Sequence, residues 1–275
     1  MSILVKNKSL VAFIFLLASF LPFQSQAKTL VLVHGFSSDD MYWRTSGFTK
    51  PLEIAGWKDA GSYNIVPQGM LTPRGIDLKG NIFITVNLPS ESNLQIQEGI
   101  LMEYLQHLYM MRKEPVILVG HSAGGVVSRL YVIDPTHAPV STLITIAAPH
   151  LGTPAANAAY IAGNSPLGMM ASIAGGESLQ NSRGLFSDLK EEKPGTFLYW
   201  MNRQPHPNIH YASIIRKNKI ISNPKKQDYV VPTSSQNMNN ILAMRNRSGV
   251  AFSKDGHALN GNDGLTVLNV LKHVK

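Results

Sequence analysis

The hydrophobic and polar positions of the chain divide it into short apolar runs and longer segments with helical spacing. The apolar runs are rich in β-branched residues and bounded by turn residues, as buried strands are; they cover residues 29–33, 81–88, 115–119, 141–147 and 210–215. Apolar residues at helical spacing, or helix-ending signals, mark residues 48–55, 94–108, 124–133 and 264–274. Asn93 is placed to cap the second of these helices. Strands alternating with helices predict an α/β fold with a mostly parallel central sheet and helices on both faces.

The stretch from about residue 151 to residue 193 has no strand pattern and differs in composition. It is rich in Ala, Gly, Ser and Met, and its apolar segment 166–174 contains Met169 and Met170. Methionine suits an adaptable apolar surface. We interpret the stretch as an insertion over the surface of a single domain that spans residues 28–275. The composition fits a mobile cover and a buried helix on the sheet equally well.

The first 27 residues are typical of a secretory signal peptide. Lys6 and Lys8 precede an apolar run over residues 10–21, and Ser25 and Ala27 stand at positions −3 and −1 of a cleavage site. The apolar run is shorter than the roughly 20 residues that span a bilayer. The chain has no cysteine, which excludes disulfides and a lipidated N-terminal cysteine. We predict export to the periplasm or the medium.

The charge of the chain narrows the classes of partner. The formal net charge is +8, and Lys6 and Lys8 account for two of these charges. The basic residues form short clusters, such as residues 216–219 and 225–226, without the dense basic stripe of a nucleic-acid-binding protein. We therefore predict no nucleic-acid partner. Transient contact with a membrane surface and a merely basic soluble surface are both compatible with this charge.

The strongest chemical signal is the sequence GHSAG at residues 120–124. A bare G-x-S-x-G is weak, because glycine and serine are common residues. Here it lies between a predicted strand and a predicted helix, the context that a nucleophile elbow requires. Gly120 and Gly124 are expected because a Cβ atom at either position would collide with neighbouring backbone. We predict that Ser122 is a nucleophile; the alternative is an ordinary strand-to-helix turn.

A serine nucleophile needs a base that takes its proton and a carboxylate that orients the base. In one arrangement of such residues, the serine, the acid and the histidine follow in that order along the chain. Asp228, in the sequence DYVVP, is then the predicted acid. The alternative is that Asp228 caps a turn. Of the two histidines that follow it, His257 in a polar loop is favoured over His273 in the last helix. Six other downstream acidic residues are less suitable. Asp134 comes too early, Asp188, Glu191 and Glu192 fall in the insertion, and Asp255 and Asp263 lie too near His257.

An oxyanion hole needs two backbone N–H groups directed at the developing negative charge. One is expected from Ala123, which follows Ser122 at the start of a helix. The other is expected from Phe36, in the loop after the first strand, where Gly35 allows the backbone to approach the site. The alternative for this loop is a simple strand-ending turn.

Together these segments resemble bacterial lipases and esterases of the α/β-hydrolase superfamily, similar to the triacylglycerol lipases. The matching segments are LVHGF (32–36), LVGHSAGG (118–125), TIAAPHLGTPAANA (145–158) and DYVVPTSSQ (228–236). The resemblance implies a serine hydrolase that cleaves carboxylic esters, with lipid esters as the expected class, through an acyl-enzyme intermediate and without a cofactor. It also implies a lid in the insertion and transient contact with a lipid interface. A short-chain esterase, an acyltransferase and a non-catalytic binding protein on the same scaffold remain alternatives.

Three features depart from the larger secreted lipases. Those proteins often carry a disulfide, which this chain lacks. Many also bind a structural calcium through an aspartate close after the catalytic histidine. Asn260, Asn262 and Asp263 match that pattern only loosely, so no metal is predicted. The His-Gly strand follows the signal segment directly, which implies a reduced sheet without the first strands of those relatives.

Overall fold

A computed structural model describes residues 28–73, 80–163, 181–217, 228–253 and 255–274. The predicted signal peptide (1–27) and the apolar segment 166–174 lie outside these ranges, so export and a lid stay predictions. None of the helices in the described ranges has the length and hydrophobicity that crossing a bilayer requires.

Eight strands and nine α-helices follow one another in the described ranges. The strands are β1 (Thr29–Val33), β2 (Lys58–Val66), β3 (Gly69–Leu71), β4 (Ile82–Val86), β5 (Val116–His121), β6 (Val140–Ile146), β7 (His210–Arg216) and β8 (Ser248–Ser253). The helices are α1 (Tyr42–Thr45), α2 (Thr49–Ile54), α3 (Leu94–Arg112), α4 (Ala123–Ile133), α5 (Pro154–Gly163), α6 (Arg183–Asp188), α7 (Phe197–Met201), α8 (Thr233–Gln236) and α9 (Gly261–Lys272). Two short 3₁₀ turns, Met238–Asn240 and Leu242–Met244, separate α8 from β8.

All eight strands form one sheet in the order β3-β2-β4-β1-β5-β6-β7-β8. Only the β2–β3 pair is antiparallel; every other neighbouring pair runs parallel. The five predicted strands are β1, β4, β5, β6 and β7, and each agrees with the prediction to within two residues. The predicted mostly parallel α/β fold is confirmed.

With eight strands in the described ranges the sheet is not reduced, contrary to expectation, and its strands β2, β3 and β8 were not predicted from the sequence. Strands β2 and β3 complete the side of the sheet beyond β4, although they follow β1 in the chain. Strand β2 has no apolar run: of its nine residues only Tyr63 is buried, and its register with β4 is irregular between Asp59 and Ser62. Strands at or next to the edge of a sheet are often half exposed, so hydrophobic patterning does not reveal them.

The core lies in two layers, one on each face of the sheet. Successive side chains of a strand point to opposite faces. In β1, Leu30 and Leu32 pack in one buried cluster with side chains of α1, α2 and α9, whereas Val31 and Val33 pack in the other with side chains of α3, α4 and α6. A strand buried on both faces must be apolar at every position, which is why TLVLV shows no alternation.

The longest helix, α3, begins where its cap was predicted. The Asn93 side chain accepts a hydrogen bond of 2.9 Å from the Ile96 N–H. Lys113, the residue after the helix, adopts a left-handed conformation that ends it. Its buried residues, Leu101, Leu105 and Leu108 among them, form the stripe that covers the sheet.

Candidate active site

Ser122 lies on a sharp turn between β5 and α4. Its backbone has φ 52° and ψ −127°, a conformation that L-residues rarely adopt and that stores strain. The turn is held because the Ser122 N–H donates to the Ile146 carbonyl at 2.9 Å and the Gly125 N–H donates to the Ser122 carbonyl at 3.0 Å. Ser122 is only partly buried, so the residue keeps some exposure to solvent.

The two glycines of the motif stand where no side chain fits. A Cβ atom at Gly120 would lie 2.5 Å from the Cα atom of Gly125, and one at Gly124 would overlap the carbonyl oxygens of Val33 and His34. Helix α4 therefore packs directly against the backbone of β5 and β1. This close approach is the local reason for the glycine spacing around Ser122.

Three predicted side chains form a continuous row of hydrogen bonds. His257 Nε2 lies 2.9 Å from Ser122 Oγ, and His257 Nδ1 lies 2.9 Å from Asp228 Oδ2. Because an ionised carboxylate only accepts, the Nδ1–H group donates to Asp228, and Nε2 is left to accept from the serine hydroxyl. The structure thus brings together residues that lie 135 and 29 positions apart in the chain.

The Asp228 carboxylate is almost fully buried, with 2% of the residue exposed. Its Oδ1 atom accepts from the Val230 and Val231 N–H groups, each at 2.9 Å. Its Oδ2 atom accepts from the Gln236 side-chain amide at 3.0 Å as well as from His257. These donors hold the carboxylate in one orientation and replace the water that burial removes. Sequence reasoning missed Gln236, and no local signal marks it.

His121, inside the elbow motif, supports the position of His257. It is buried, and its Nε2–H group donates to the His257 backbone carbonyl at 2.9 Å. Desolvation by burial holds the pKa of His121 well below its usual range, and neighbouring His257 acts in the same direction. His121 is therefore a neutral donor at neutral pH.

The loop after β1 lies against the elbow. A Cβ atom at Gly35 would be 2.9 Å from the Ser122 Cβ atom and 3.5 Å from the Ala123 nitrogen. His34 anchors the loop, because its Nε2 atom accepts from the Leu88 N–H at 3.0 Å and its Nδ1 atom lies 3.0 Å from the Gly35 carbonyl. Phe36 follows directly in this loop. The loop thus runs beside Ala123, while donation by the Phe36 and Ala123 N–H groups to a reacting oxygen stays a prediction.

Comparisons with known proteins agree on the architecture. A family model described as a PGAP1-like alpha/beta domain matches residues 93–163, less than half of the chain. The mature form of Bacillus licheniformis lipase BlEst2 is 17% identical, with a TM-score of 0.59 over 91% of this chain and 93% of that chain. A Listeria innocua gene product of solved structure is 13% identical, with a TM-score of 0.62 over 90% of this chain and 95% of that chain. This chain has the α/β-hydrolase fold.

The propeptide form of the Bacillus licheniformis lipase is also similar to this chain. The two are 18% identical, with a TM-score of 0.62 over 91% of this chain. The chain covers 51% of that protein, about half of its length. No curated protein sequence matches the chain significantly. At these identities the likeness concerns the fold.

The residues considered in place of Asp228 and His257 do not take part in the hydrogen-bonded row at Ser122. His273 is exposed at the end of α9. The Asp255 carboxylate accepts from the Ser253 hydroxyl at 2.8 Å, and the Asp188 carboxylate accepts from the Leu94 N–H at 2.9 Å. Glu192 pairs with Arg203 at 2.7 Å. Asp134 accepts from Thr136 just beyond α4, and Asn157 donates to Glu191.

Asp263, the residue nearest to the calcium pattern, has both carboxylate oxygens engaged by Arg216, at 2.5 and 2.9 Å. Asn260 Oδ1 accepts from the Asn262 N–H and caps α9. Across the described ranges no group of three or more His, Asp or Glu side chains is placed to hold a metal ion. A calcium ion bound through Asp263 would have to displace a guanidinium group.

Proposed function

We propose that this protein is a serine hydrolase that cleaves carboxylic esters, with Ser122 as nucleophile, His257 as general base and acid, and Asp228 as the carboxylate that orients His257. The observation that carries the proposal is the hydrogen-bonded row from Ser122 Oγ through His257 to Asp228, with the serine partly exposed on a strained turn. A merely structural serine would not need a backbone conformation that costs roughly 1–3 kcal/mol.

The acylation step follows from this arrangement. Ser122 Oγ attacks the ester carbonyl carbon while His257 Nε2 takes the hydroxyl proton, and Asp228 stabilises the imidazolium through its bond to Nδ1–H. The carbonyl oxygen becomes an oxyanion, for which the Ala123 and Phe36 N–H groups are the proposed donors. When the tetrahedral intermediate collapses, the C–O bond breaks and His257 gives its proton to the leaving alcohol.

Deacylation repeats the sequence with water. His257 takes a proton from a water molecule, the hydroxide attacks the acyl carbon, and the proton returns to Ser122 Oγ as the carboxylic acid leaves. With an alcohol or amine in place of water the same steps transfer the acyl group. Product analysis with a competing alcohol separates the two activities: we expect mainly the free acid, and mainly the new ester would indicate a transferase.

We propose acyl esters of lipids as the substrate class. Apolar side chains flank the site: Tyr229 and Val230, next to Asp228, are 69% and 43% exposed, and the Phe36 and Phe186 rings pack edge to face at 5.1 Å. The name of the Bacillus licheniformis neighbour, a lipase, supports the same class. A transient contact with a lipid surface through these apolar side chains fits the proposal.

Chain-length profiling tests the substrate class. With a series of p-nitrophenyl esters we expect kcat/KM to rise from acetyl to longer acyl chains, and activity to increase when the substrate forms an emulsion. Turnover of acetyl and butyryl esters alone, with no gain on emulsions, would identify a short-chain esterase.

Labelling with a fluorophosphonate probe tests the nucleophile. We expect the wild type and Ser234→Ala, which changes an exposed serine on α8, to be labelled equally. Ser122→Ala should take up no label, and His257→Ala should label far more slowly. Label that persists in Ser122→Ala would remove the central assignment, and a protein that is never labelled would favour a non-catalytic binding function.

We also propose that the protein is exported and that its signal segment is removed after Ala27. Cell fractionation should place it in the periplasm or the medium, with Lys28 as its first residue. A cytoplasmic protein that begins at Met1 would contradict this.

A further inference from the structure

We propose that Arg216 is a positioning residue that fixes the loop of His257 and the loop of Asp228 relative to each other. The proposal rests on the proposed function, since it assigns Arg216 a role in keeping His257 aligned between Ser122 and Asp228. Arg216 is the last residue of β7, and its side chain reaches the histidine loop, defined as residues 255–260 between β8 and α9.

The guanidinium group of Arg216 contacts the histidine loop and both of its flanks. Nη1 donates to Ser253 Oγ at 2.8 Å, at the end of β8. Nη2 donates to the carbonyl of Ala258 at 3.2 Å, one residue beyond His257. Nη1 and Nη2 also bind the Asp263 carboxylate at 2.5 and 2.9 Å, in the first turn of α9. One planar group therefore fixes where the loop begins, where it ends and how it runs beside His257.

The backbone of the same residue holds the acid side of the site. The Arg216 N–H donates to Gln236 Oε1 at 2.7 Å, and the Gln236 amide nitrogen in turn donates to Asp228 Oδ2 at 3.0 Å. The Arg216 carbonyl accepts from the Thr233 hydroxyl at 3.1 Å. A displacement of Arg216 would thus move the supports of both His257 and Asp228.

Because the ion pair between Arg216 and Asp263 is buried, its hydrogen bonds must be satisfied within the protein. Arg216 and Asp263 are both 0% exposed, so their charges are compensated by each other and by the surrounding hydrogen bonds. A planar guanidinium can bind a carboxylate with two parallel bonds and still reach Ser253 and Ala258, whereas a lysine ammonium is a point charge on a flexible stem. The requirement is therefore for arginine and not for positive charge alone.

The first test is the kinetics of Arg216→Lys, which keeps the charge and loses the fork. A displacement of about 1 Å in a catalytic group costs on the order of 100-fold in rate. We expect kcat to fall about 10- to 100-fold with KM changed less than about twofold, because the ester-binding surface is untouched. Measurements are made well below the unfolding midpoint of the variant, so that loss of folded protein does not enter. A wild-type kcat in the folded variant would overturn the proposal.

The control is Arg44→Lys, which changes an arginine–aspartate pair that is partly exposed and far from the histidine loop in the chain. Arg44 also binds an aspartate with two bonds, Asp59 at 2.7 Å for each, and its other contacts are with Asp40, Ser62 and Thr85. We expect kcat of this variant to stay within about twofold of the wild type. An equal loss of kcat in both variants would show a general cost of breaking such pairs and would overturn the assignment to Arg216.

A double-mutant cycle shows whether Arg216 acts through His257. In the His257→Ala background, the residual hydrolysis of an activated ester should be unchanged by Arg216→Lys, because the residue to be positioned is gone. An equal fold-loss in both backgrounds would indicate a merely structural role and refute the proposal.

If Arg216→Lys does not fold, Ser253→Ala takes its place. It removes the bond from Nη1 to the flank of the loop, together with the two bonds between Ser253 Oγ and Asp255, and leaves the buried ion pair intact. We expect a severalfold lower kcat at unchanged KM, and a smaller loss in Asp255→Ala, which keeps the bond from Arg216 to Ser253. An unchanged kcat would overturn the proposal. Failure of the proposed function looks different, since Ser122→Ala and His257→Ala would then hydrolyse esters like the wild type.

Discussion

A cluster of buried basic groups around Arg129 predicts that acid destabilises the fold. Arg129, on α4, is 0% exposed and donates to His150 Nδ1 at 3.2 Å and to Asn202 Oδ1 at 2.6 Å; its Nη1 atom lies 3.3 Å from His206 Nε2. Burial, followed by the charge of Arg129, lowers the pKa of His206 to about 4 and holds the pKa of His150 well below its usual value. Both imidazoles accept from a cation and must be neutral to do so.

The sign and size of the effect follow from linkage. The unfolded chain binds a proton at His206 with a pKa near 6.5, whereas the folded protein does so only near 4. The stability due to neutral His206 is therefore fully present above about pH 6.5 and is lost as the pH falls towards 4. Below pH 6.5 the loss approaches about 1.4 kcal/mol per pH unit, which amounts to about 2 kcal/mol between pH 7.5 and pH 5.0 for His206 alone.

Urea unfolding at pH 7.5 and pH 5.0 measures this loss. In His206→Gln the amide oxygen can still accept from Arg129 but does not titrate, so the difference in free energy of unfolding between the two pH values should shrink by about 2 kcal/mol. His273→Gln, which changes an exposed histidine at the end of α9, should retain the pH dependence of the wild type. An equal pH dependence in wild type and His206→Gln would refute the reasoning.

Three further predictions concern Gly124 beside the nucleophile, Gly99 on helix α3, and Asp228. Gly124→Ala places a Cβ atom against the His34 carbonyl, and should lower the free energy of unfolding by about 3 kcal/mol, seen by urea denaturation, with loss of esterase activity. Gly99→Ala, where a Cβ atom meets nothing within 4 Å on α3, should instead raise it by about 0.5–1 kcal/mol; a loss would contradict the helix-propensity argument. Asp228→Asn should lower kcat by about 10⁴-fold in steady-state assays, because it disturbs the tautomer of His257; a near-normal kcat would redirect the search for the acid.

Local patterning was enough to predict the centre of the sheet and the motif at Ser122. Strands buried on both faces leave continuous apolar runs, and a strand–turn–helix with glycines at fixed offsets leaves a readable motif, so these features depend on neighbours in sequence. The edge strands β3 and β8, and β2 next to β3, left no such trace, because half-exposed strands are not required to be apolar.

The order of Ser122, Asp228 and His257 along the chain allowed these residues to be chosen as candidates, but their separations of up to 135 positions say nothing about distance. The parallel register of β5, β6, β7 and β8 decides that distance, because it carries the ends of these strands and the loops beyond them to one edge of the sheet. The supporting contacts of His121, Arg216 and Gln236 arise only there. Long-range hydrogen bonds between polar side chains have no period and no fixed spacing, so composition and motif determined which groups the chain carries, and the tertiary structure decided which of them meet.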